Sequence, residues 1–217
     1  MSKYNIYIEG NIASGKTTLI EFLKSKLGDK IEFFPEPIEK WKDFNGLNLL
    51  QLMYEDPKKY SFHLQSYIQK TMFEIQIKNS TFPIKITERS LLSERFVFIQ
   101  YLKSTNLISE LEYNILNKWF ELLNTLVPKV DEIIYVRTQP EEVYKQLKLR
   151  NRIEEKSVEL SYLTELHNLH ENWLVNKTLG FHNNSLITIV EQNFESNNTS
   201  QIYNSIVDRL KNKLNYV

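Results

Sequence analysis

The sequence predicts an α/β domain: a five-stranded parallel sheet with helices on both faces. Three observations predict it. Five short apolar runs, at 3–9, 31–34, 84–87, 133–136 and 185–190, are separated by stretches of helical periodicity, the pattern of a parallel sheet whose crossovers are helices. The first run leads straight into a glycine-rich turn that opens a helix. The chain has 217 residues, 41% hydrophobic and 25% charged, which is ordinary globular composition and enough for one large core. A single domain over 1–217 is therefore expected.

The elements follow in order. Residues 3–9 read as a buried strand, and a helix over 16–27 ends at Gly28. Ile31 to Phe34 is a short strand closed by Pro35. Helical periodicity then runs over 46–79, interrupted at Asp56-Pro57, where a proline suits a first helical position. Ile84 to Thr87 is strand-like. Residues 90–104 and 109–126 read as helices, the second ending before Pro128. Ile133 to Val136 is a strand rich in β-branched residues, followed by helices over 140–149 and 158–178. Ser185 to Val190 is the last strand, Glu195 to Ser200 a polar loop, and 199–214 the last helix. No internal repeat is visible.

Composition removes several function classes. Lys+Arg and Asp+Glu are both 27, and a zero net charge gives no support for nucleic acid or a membrane surface as partner, since both select a basic face. Without cysteine there is no disulfide and no thiolate metal site. No run is long and apolar enough to span a bilayer. Met1-Ser2-Lys3 leads directly into the strand at Tyr4, leaving no room for a targeting segment, so a cytoplasmic protein is expected.

The chemistry begins at the first turn. Gly10-Asn11-Ile12-Ala13-Ser14-Gly15-Lys16-Thr17 satisfies G-x-x-x-x-G-K-[ST] between a strand and a helix, the context a P-loop requires. The glycines let backbone N–H groups turn inward around phosphate oxygens, and the helix N-terminus adds partial positive charge. Lys16 can reach the β- and γ-phosphates and the Thr17 hydroxyl can ligate Mg²⁺, with Thr18 following in the first helical turn. ATP and Mg²⁺ are the expected cofactors. A guanine-reading Asn-Lys-x-Asp segment is missing, which argues against a GTPase. The strand at 84–87 runs into Glu88 rather than aspartate, and a carboxylate there can still hold Mg²⁺ or its water shell.

Further segments fall in a fixed order along the chain: Ile8-Glu9-Gly10-Asn11-Ile12, Glu36-Pro37-Ile38-Glu39-Lys40-Trp41, Asn45 to Leu50, Leu52-Met53-Tyr54, Asp56-Pro57, Gln65-Ser66-Tyr67, Glu88-Arg89-Ser90 and Arg150 to Glu155. Through them the chain resembles the deoxyribonucleoside kinase family, which includes insect multisubstrate deoxynucleoside kinase, mitochondrial thymidine kinase and deoxycytidine kinase. The resemblance implies a P-loop kinase that moves the γ-phosphate of ATP onto the 5′-hydroxyl of a deoxyribonucleoside. It places the base on Glu36, at the C-terminal end of the second strand where open α/β sheets bind ligands. It makes Arg89 a bridge between that carboxylate and the reacting phosphate. It makes about 150–157 an arginine-rich lid whose Arg150 and Arg152 close over the transferring phosphoryl group. Tyr54 and Glu155 fall on contacts to the sugar 3′-hydroxyl, and Trp41, Met53, Gln65, Ile68, Met72, Glu94 and Phe98 on the nucleoside pocket. The resemblance also implies a homodimer, with helices 90–104 and 158–178 as its expected face.

One position departs from the pattern. The insect and mitochondrial thymidine-using enzymes have alanine where this chain has Glu94; deoxycytidine kinase has aspartate, paired with an arginine at the position of Met72. A carboxylate accepts hydrogen bonds without donating them, so deoxycytidine and deoxyadenosine, which present an amino group, are expected to be favoured, with thymidine an accepted substrate of lower rank. His167 and His170 share a helix face, but a zinc site needs more ligands, and they read as structural. Two alternatives stand beside the kinase reading. A nucleoside monophosphate kinase of thymidylate type would need a cation for the acceptor's phosphate, where Glu36 would repel it. A nucleotide-binding switch without turnover would have no use for Glu36, Arg89 and the lid arginines together.

Overall fold

A computed structural model describes residues 4–179, 185–194 and 199–215. Five strands, β1 (Tyr4–Gly10), β2 (Ile31–Phe34), β3 (Ile84–Glu88), β4 (Glu132–Arg137) and β5 (Leu186–Glu191), form one sheet in the order β2-β3-β1-β4-β5. Every pairing is parallel. The central strand β1 therefore lies between β3 and β4, with Ile8 opposite Glu88 on one side and Ile134 on the other. That register brings the C-terminal ends of β1, β2 and β3 to one edge.

Alternation along the strands builds two cores. Ile6 and Ile8 of β1 and Ile134 and Val136 of β4 point to one face, against Leu19 and Leu23 of α1 (Lys16–Leu27) and Ile206 and Leu210 of the C-terminal helix (Thr199–Asn215). Tyr7 of β1 and Ile133 and Tyr135 of β4 point the other way, against Val97, Leu166 and Trp173. A one-residue slip would exchange the two faces, so these runs of apolar residues fix the register.

The helices between β2 and β3 differ from the sequence expectation in detail. A short α2 (Ile38–Lys42) follows Pro37, and the periodic stretch resolves into α3 (Leu49–Glu55) and α4 (Pro57–Gln76). The expected break falls at Asp56, whose side chain accepts from Lys59 N at 3.2 Å and caps α4 at its Pro57 start. The periodic stretch begins three residues early because 43–48 form a turn, with Phe44 and Leu47 exchanging backbone hydrogen bonds. Residues 91–104 form one helix, α5, interrupted by a π turn at Glu94–Phe98; α6 spans Glu110–Leu126, α7 Pro140–Arg150, and α8 runs over 160–175 with a second π turn at Glu171–Val175. The C-terminal helix is α9. The expected loop at Glu195 to Ser200 lies outside the described residues over 195–198, and Thr199 already belongs to α9.

The helices expected to form a dimer face also pack within the chain. Helices α5 and α8 spend their apolar sides on each other and on the sheet, through Val97, Leu102, Leu166, Trp173 and the Tyr101–Tyr162 ring pair. An exposed apolar stripe lies on α6: Leu111, Ile115, Trp119, Leu122 and Leu126, of which Leu111 is 70% exposed.

One buried ion pair fastens α9 to the sheet. Glu132 is fully buried at the start of β4, and Arg209 of α9 donates to both of its oxygens at 2.5 and 2.6 Å. Thr188 and Tyr4 donate to the same carboxylate at 2.7 and 3.2 Å. Removing one partner of such a pair leaves a buried charge unpaired. Arg209 is itself partly exposed and Thr188 and Tyr4 would still serve Glu132, so Arg209→Ala is expected to lower unfolding stability by about 1–2 kcal/mol, read as a shift in the urea midpoint at unchanged slope.

Candidate active site

The turn after β1 is built by residues that allow unusual backbone. Gly10 has φ +148°, and a Cβ there would sit 2.5 Å from the Val136 carbonyl oxygen and 2.7 Å from Ser14 Oγ. Ala13 and Gly15 both take left-handed conformations, at φ 58° and 95°. Thr138, just beyond β4, pins the loop from outside by donating to the Ser14 carbonyl at 2.8 Å. Asn11 anchors it on α8 through the Leu163 carbonyl at 2.8 Å and accepts from Ile12 N at 2.8 Å. Lys16 opens α1 with its ammonium folded back on the loop, donating to the Gly10 and Asn11 carbonyls at 3.2 and 2.6 Å. Burial, and then the like charge of Arg89, lower its pKa to about 7, against the pull of Glu88, Glu36 and Glu9. A triphosphate in the loop would restore the ammonium by adding negative charge beside it.

Arg89 gathers the edge together. It follows β3 with φ 60°, the left-handed region, which costs a non-glycine residue about 1–2 kcal/mol. Its N–H donates to the Ile8 carbonyl at 3.0 Å. One guanidinium nitrogen donates to the Gly10 carbonyl at 3.0 Å, and Nε meets Glu36 Oε1 at 2.9 Å. The guanidinium also lies over one face of the Phe98 ring, 4.8 Å from its centre. Glu36 stands nearly buried past the end of β2. Burial raises its pKa above the usual carboxylate range, opposed by the Arg89 charge. Beneath them Ser90 caps α5 and donates to the fully buried Glu9 at 2.5 Å. Burial pushes Glu9 up to about 7, although Ser90, Arg89 and Lys16 pull it down.

The lid closes the cleft from the side of α7. Asn151 ends that helix in the left-handed conformation, φ 50°, a common device for stopping a helix. Arg150 donates through one nitrogen to both oxygens of the buried Glu155, at 2.6 and 2.7 Å, and Arg152 lies 3.7 Å from the same group. Glu154 reaches Lys42 of α2 at 3.3 Å. Burial, then the Glu155 charge, keep the Tyr54 phenol protonated well beyond its ordinary range.

These side chains line one cleft of about 700 Å³. Of the residues singled out from the sequence, Ile12 to Thr18, Glu36, Trp41, Met53, Tyr54, Gln65, Ile68, Met72, Glu88, Arg89, Glu94, Phe98, Arg150, Arg152 and Glu155 all face it. Gly10 and Asn11 lie behind the loop and shape it through their carbonyls. The inner end is apolar, formed by Leu64, Met72 and Phe98, with Gln65 and Glu94 as its polar groups. Trp41 packs at the margin and donates to Thr71 Oγ1 at 2.9 Å. His167 and His170 stay apart from the cleft: His170 is buried flat against Tyr135 and held near pKa 3 by burial, and His167 sits 4.0 Å from Glu171.

Sequence reasoning missed Phe194 and Tyr162. Phe194 lines the cleft past the end of β5 and would stand 3.3 Å from a Cβ on Gly15. Its position just after a parallel strand was the signal available. Tyr162, at the start of α8, reads as an ordinary core tyrosine and becomes a wall of the cleft only because Asn11 and Tyr101 draw α8 against the loop.

Comparison with known proteins accords with this geometry. A family model described as deoxynucleoside kinase matches residues 6–215. Human "Thymidine kinase 2, mitochondrial" is 36% identical over 206 residues, covering 94% of this chain and 77% of the relative. Xenopus laevis "Deoxyguanosine kinase, mitochondrial" is 33% identical over 92% of this chain and 86% of its own length. Chicken "Deoxycytidine kinase 2" is 35% identical over 96% and 89%.

Proposed function

We propose, from the premise that this chain belongs to the deoxynucleoside kinase family, that it transfers the γ-phosphate of ATP to the 5′-hydroxyl of a deoxyribonucleoside. One observation supports this above the others. Arg89 joins Glu36, a proton acceptor at the nucleoside end of the cleft, to Gly10 at the phosphate end, within a single ion-paired cluster. The 5′-oxygen attacks the γ-phosphorus as its bond to the bridging oxygen of ADP breaks, and the hydroxyl proton passes to Glu36. In a loose transition state that proton leaves late, so the carboxylate mainly orients the alcohol. Lys16 and the inward N–H groups hold the phosphates, while the lid arginines meet charge as it spreads over the transferring oxygens. Tyr54 and Glu155 fix the sugar through its 3′-hydroxyl.

Mg²⁺ fits the mouth of the loop. Thr17 Oγ1 and Glu88 Oε1, 3.5 Å apart, offer hard oxygens to an ion that otherwise takes phosphate and water ligands. When bound it neutralises charge on the triphosphate.

Where Glu94 is ionised, deoxycytidine and deoxyadenosine are expected ahead of thymidine and deoxyguanosine. An exocyclic amino group can donate to Glu94 whether or not that group is ionised, whereas a carbonyl oxygen there needs a donor. The α6 stripe is the proposed homodimer face, since it is apolar and exposed.

Lys16→Ala and Glu36→Gln should each remove most of the turnover of deoxynucleosides by ATP in the presence of Mg²⁺, with the fold retained by circular dichroism. Near-normal kcat in Glu36→Gln would take Glu36 out of the mechanism. Deoxynucleoside monophosphates, offered separately, should be poor acceptors. Because only the carboxylate form of Glu36 accepts the proton and its pKa is raised, kcat/KM should fall with decreasing pH, with a midpoint above the ordinary glutamate range. Arg150→Ala and Arg152→Ala should lower kcat more than they raise nucleoside KM; arginines on transferring phosphates elsewhere contribute about 10³–10⁵-fold, and two sharing the load would each show less. Trp119→Glu should turn a dimer into a monomer in sedimentation velocity.

A further inference from the structure

Glu94 is 2% exposed in the π turn of α5, and neither of its carboxyl oxygens has a hydrogen-bond partner. Both the turn and the neighbours account for this. The wide turn closes from Ile99 N to the Glu94 carbonyl and sets Glu94 and Phe98 together on the wall of the cleft. The adjacent Arg95 is committed elsewhere, to Gln100 at 3.4 Å and the Tyr113 hydroxyl at 2.9 Å. From α4 the facing groups are uncharged. Gln69 lies beside Glu94, close enough for its amide to favour the carboxylate form, while it donates to the Leu116 carbonyl at 3.0 Å, and Met72 occupies the wall. From α8 Tyr162 lines the same cleft, and its electrostatic neighbours are Tyr54, Tyr101 and Arg89. Gln65 also lines this end, with its Oε1 buried and unpartnered. The nearest guanidinium on this wall, that of Arg89 over the Phe98 ring, is paired with Glu36, so among the described residues the inner pocket holds two polar groups without a hydrogen-bond partner and no ion pair to Glu94.

We propose that Glu94 reads the base as a carboxylic acid that can switch between donor and acceptor, so that proton binding at this one residue sets how strictly the pocket selects the base. The inference rests on the deoxynucleoside kinase reading. An amide such as Gln65 can pair with cytosine or thymine by turning over. The second hydrogen of a cytosine amino group, or the second lone pair of thymine O4, is then left for Glu94. In the neutral acid the C=O accepts the amino hydrogen, or the O–H donates to O4, and both bases are satisfied. In the carboxylate only the amino hydrogen has a partner, and O4 would face a like charge across a dry contact. Burial favours the neutral form, raising the Glu94 pKa well above the ordinary carboxylate value, with only Gln69 and Arg95 opposing. The same logic extends to adenine and guanine at their 6-position.

The sign follows from the linkage. Thymidine needs the proton and deoxycytidine does not, so the deoxycytidine-to-thymidine ratio of kcat/KM should be level at low pH. As Glu94 ionises it should climb by up to about tenfold per pH unit. Ionisations shared by both substrates, including that of Glu36, cancel in the ratio. The test is that ratio between pH 6 and 9 for the intact protein and for Glu94→Gln, whose amide donates and accepts without titrating. A rising ratio in the wild type and a level one in Glu94→Gln support the proposal. Calorimetry in two buffers of different ionisation heat gives a second reading that needs no variant: above the midpoint, thymidine binding should take up a proton and deoxycytidine binding should not. Turnover of both nucleosides at a constant ratio across the range overturns this inference alone. Turnover of neither overturns the phosphotransfer reading and this inference together.

Discussion

The arrangement of this protein depends on where one guanidinium is held. Arg89 stands at the meeting point of three strand ends, with its amide on β1, one nitrogen on the Gly10 carbonyl and another on Glu36. To reach all three it adopts a left-handed backbone that side chains avoid. Strain of this kind persists only when the surroundings over-determine it. Here they do: β3 is hydrogen-bonded on both sides, Ser90 caps the next helix, and Ser90 in turn is held by the buried Glu9.

The same burial that fixes these groups tunes them. Lys16, Glu9, Glu36 and Glu94 sit in surroundings where charge is poorly solvated, and each is shifted toward its neutral form. For Lys16 and Glu36 the shift is opposed by partners of opposite charge, so these groups respond sharply to a ligand that changes the local charge. Glu94 has no such counter-ion in contact, which separates it from the acids at the phosphate end. The cleft thus carries charge-balanced groups around the loop after β1 and an acid without an ion-pair partner at its inner end.

The lid adds a third fixed point. Arg150 and Arg152 converge on Glu155, and Glu154 ties the same turn to Lys42 of α2. The Glu155 carboxylate is held by the arginines and also acts electrostatically on the Tyr54 phenol. If Glu155 holds the sugar as proposed, sugar recognition and lid position are coupled through one group, because a carboxylate that turns toward a sugar hydroxyl must adjust its contacts with the arginines.

The sequence by itself determined the five parallel strands, the phosphate loop and the break at Asp56-Pro57, because each is written in local features: apolar runs of strand length, glycines at fixed spacing, and a proline that can only begin a helix. The family resemblance, rather than any local pattern, marked Glu36, Arg89, Arg150, Arg152 and Glu155 as residues of the cleft. Tertiary structure alone decided the rest. The π turns in α5 and α8 have no periodic signature, and they place Glu94 beside Phe98. The exposed stripe on α6 and the buried faces of α5 and α8 look alike as sequence, and only packing distinguishes them. Phe194 and Tyr162 join the cleft through contacts between segments far apart in the chain. The protonation of Glu94 follows from what is not beside it: composition can supply a carboxyl group, but only the folded surroundings decide whether it keeps its proton.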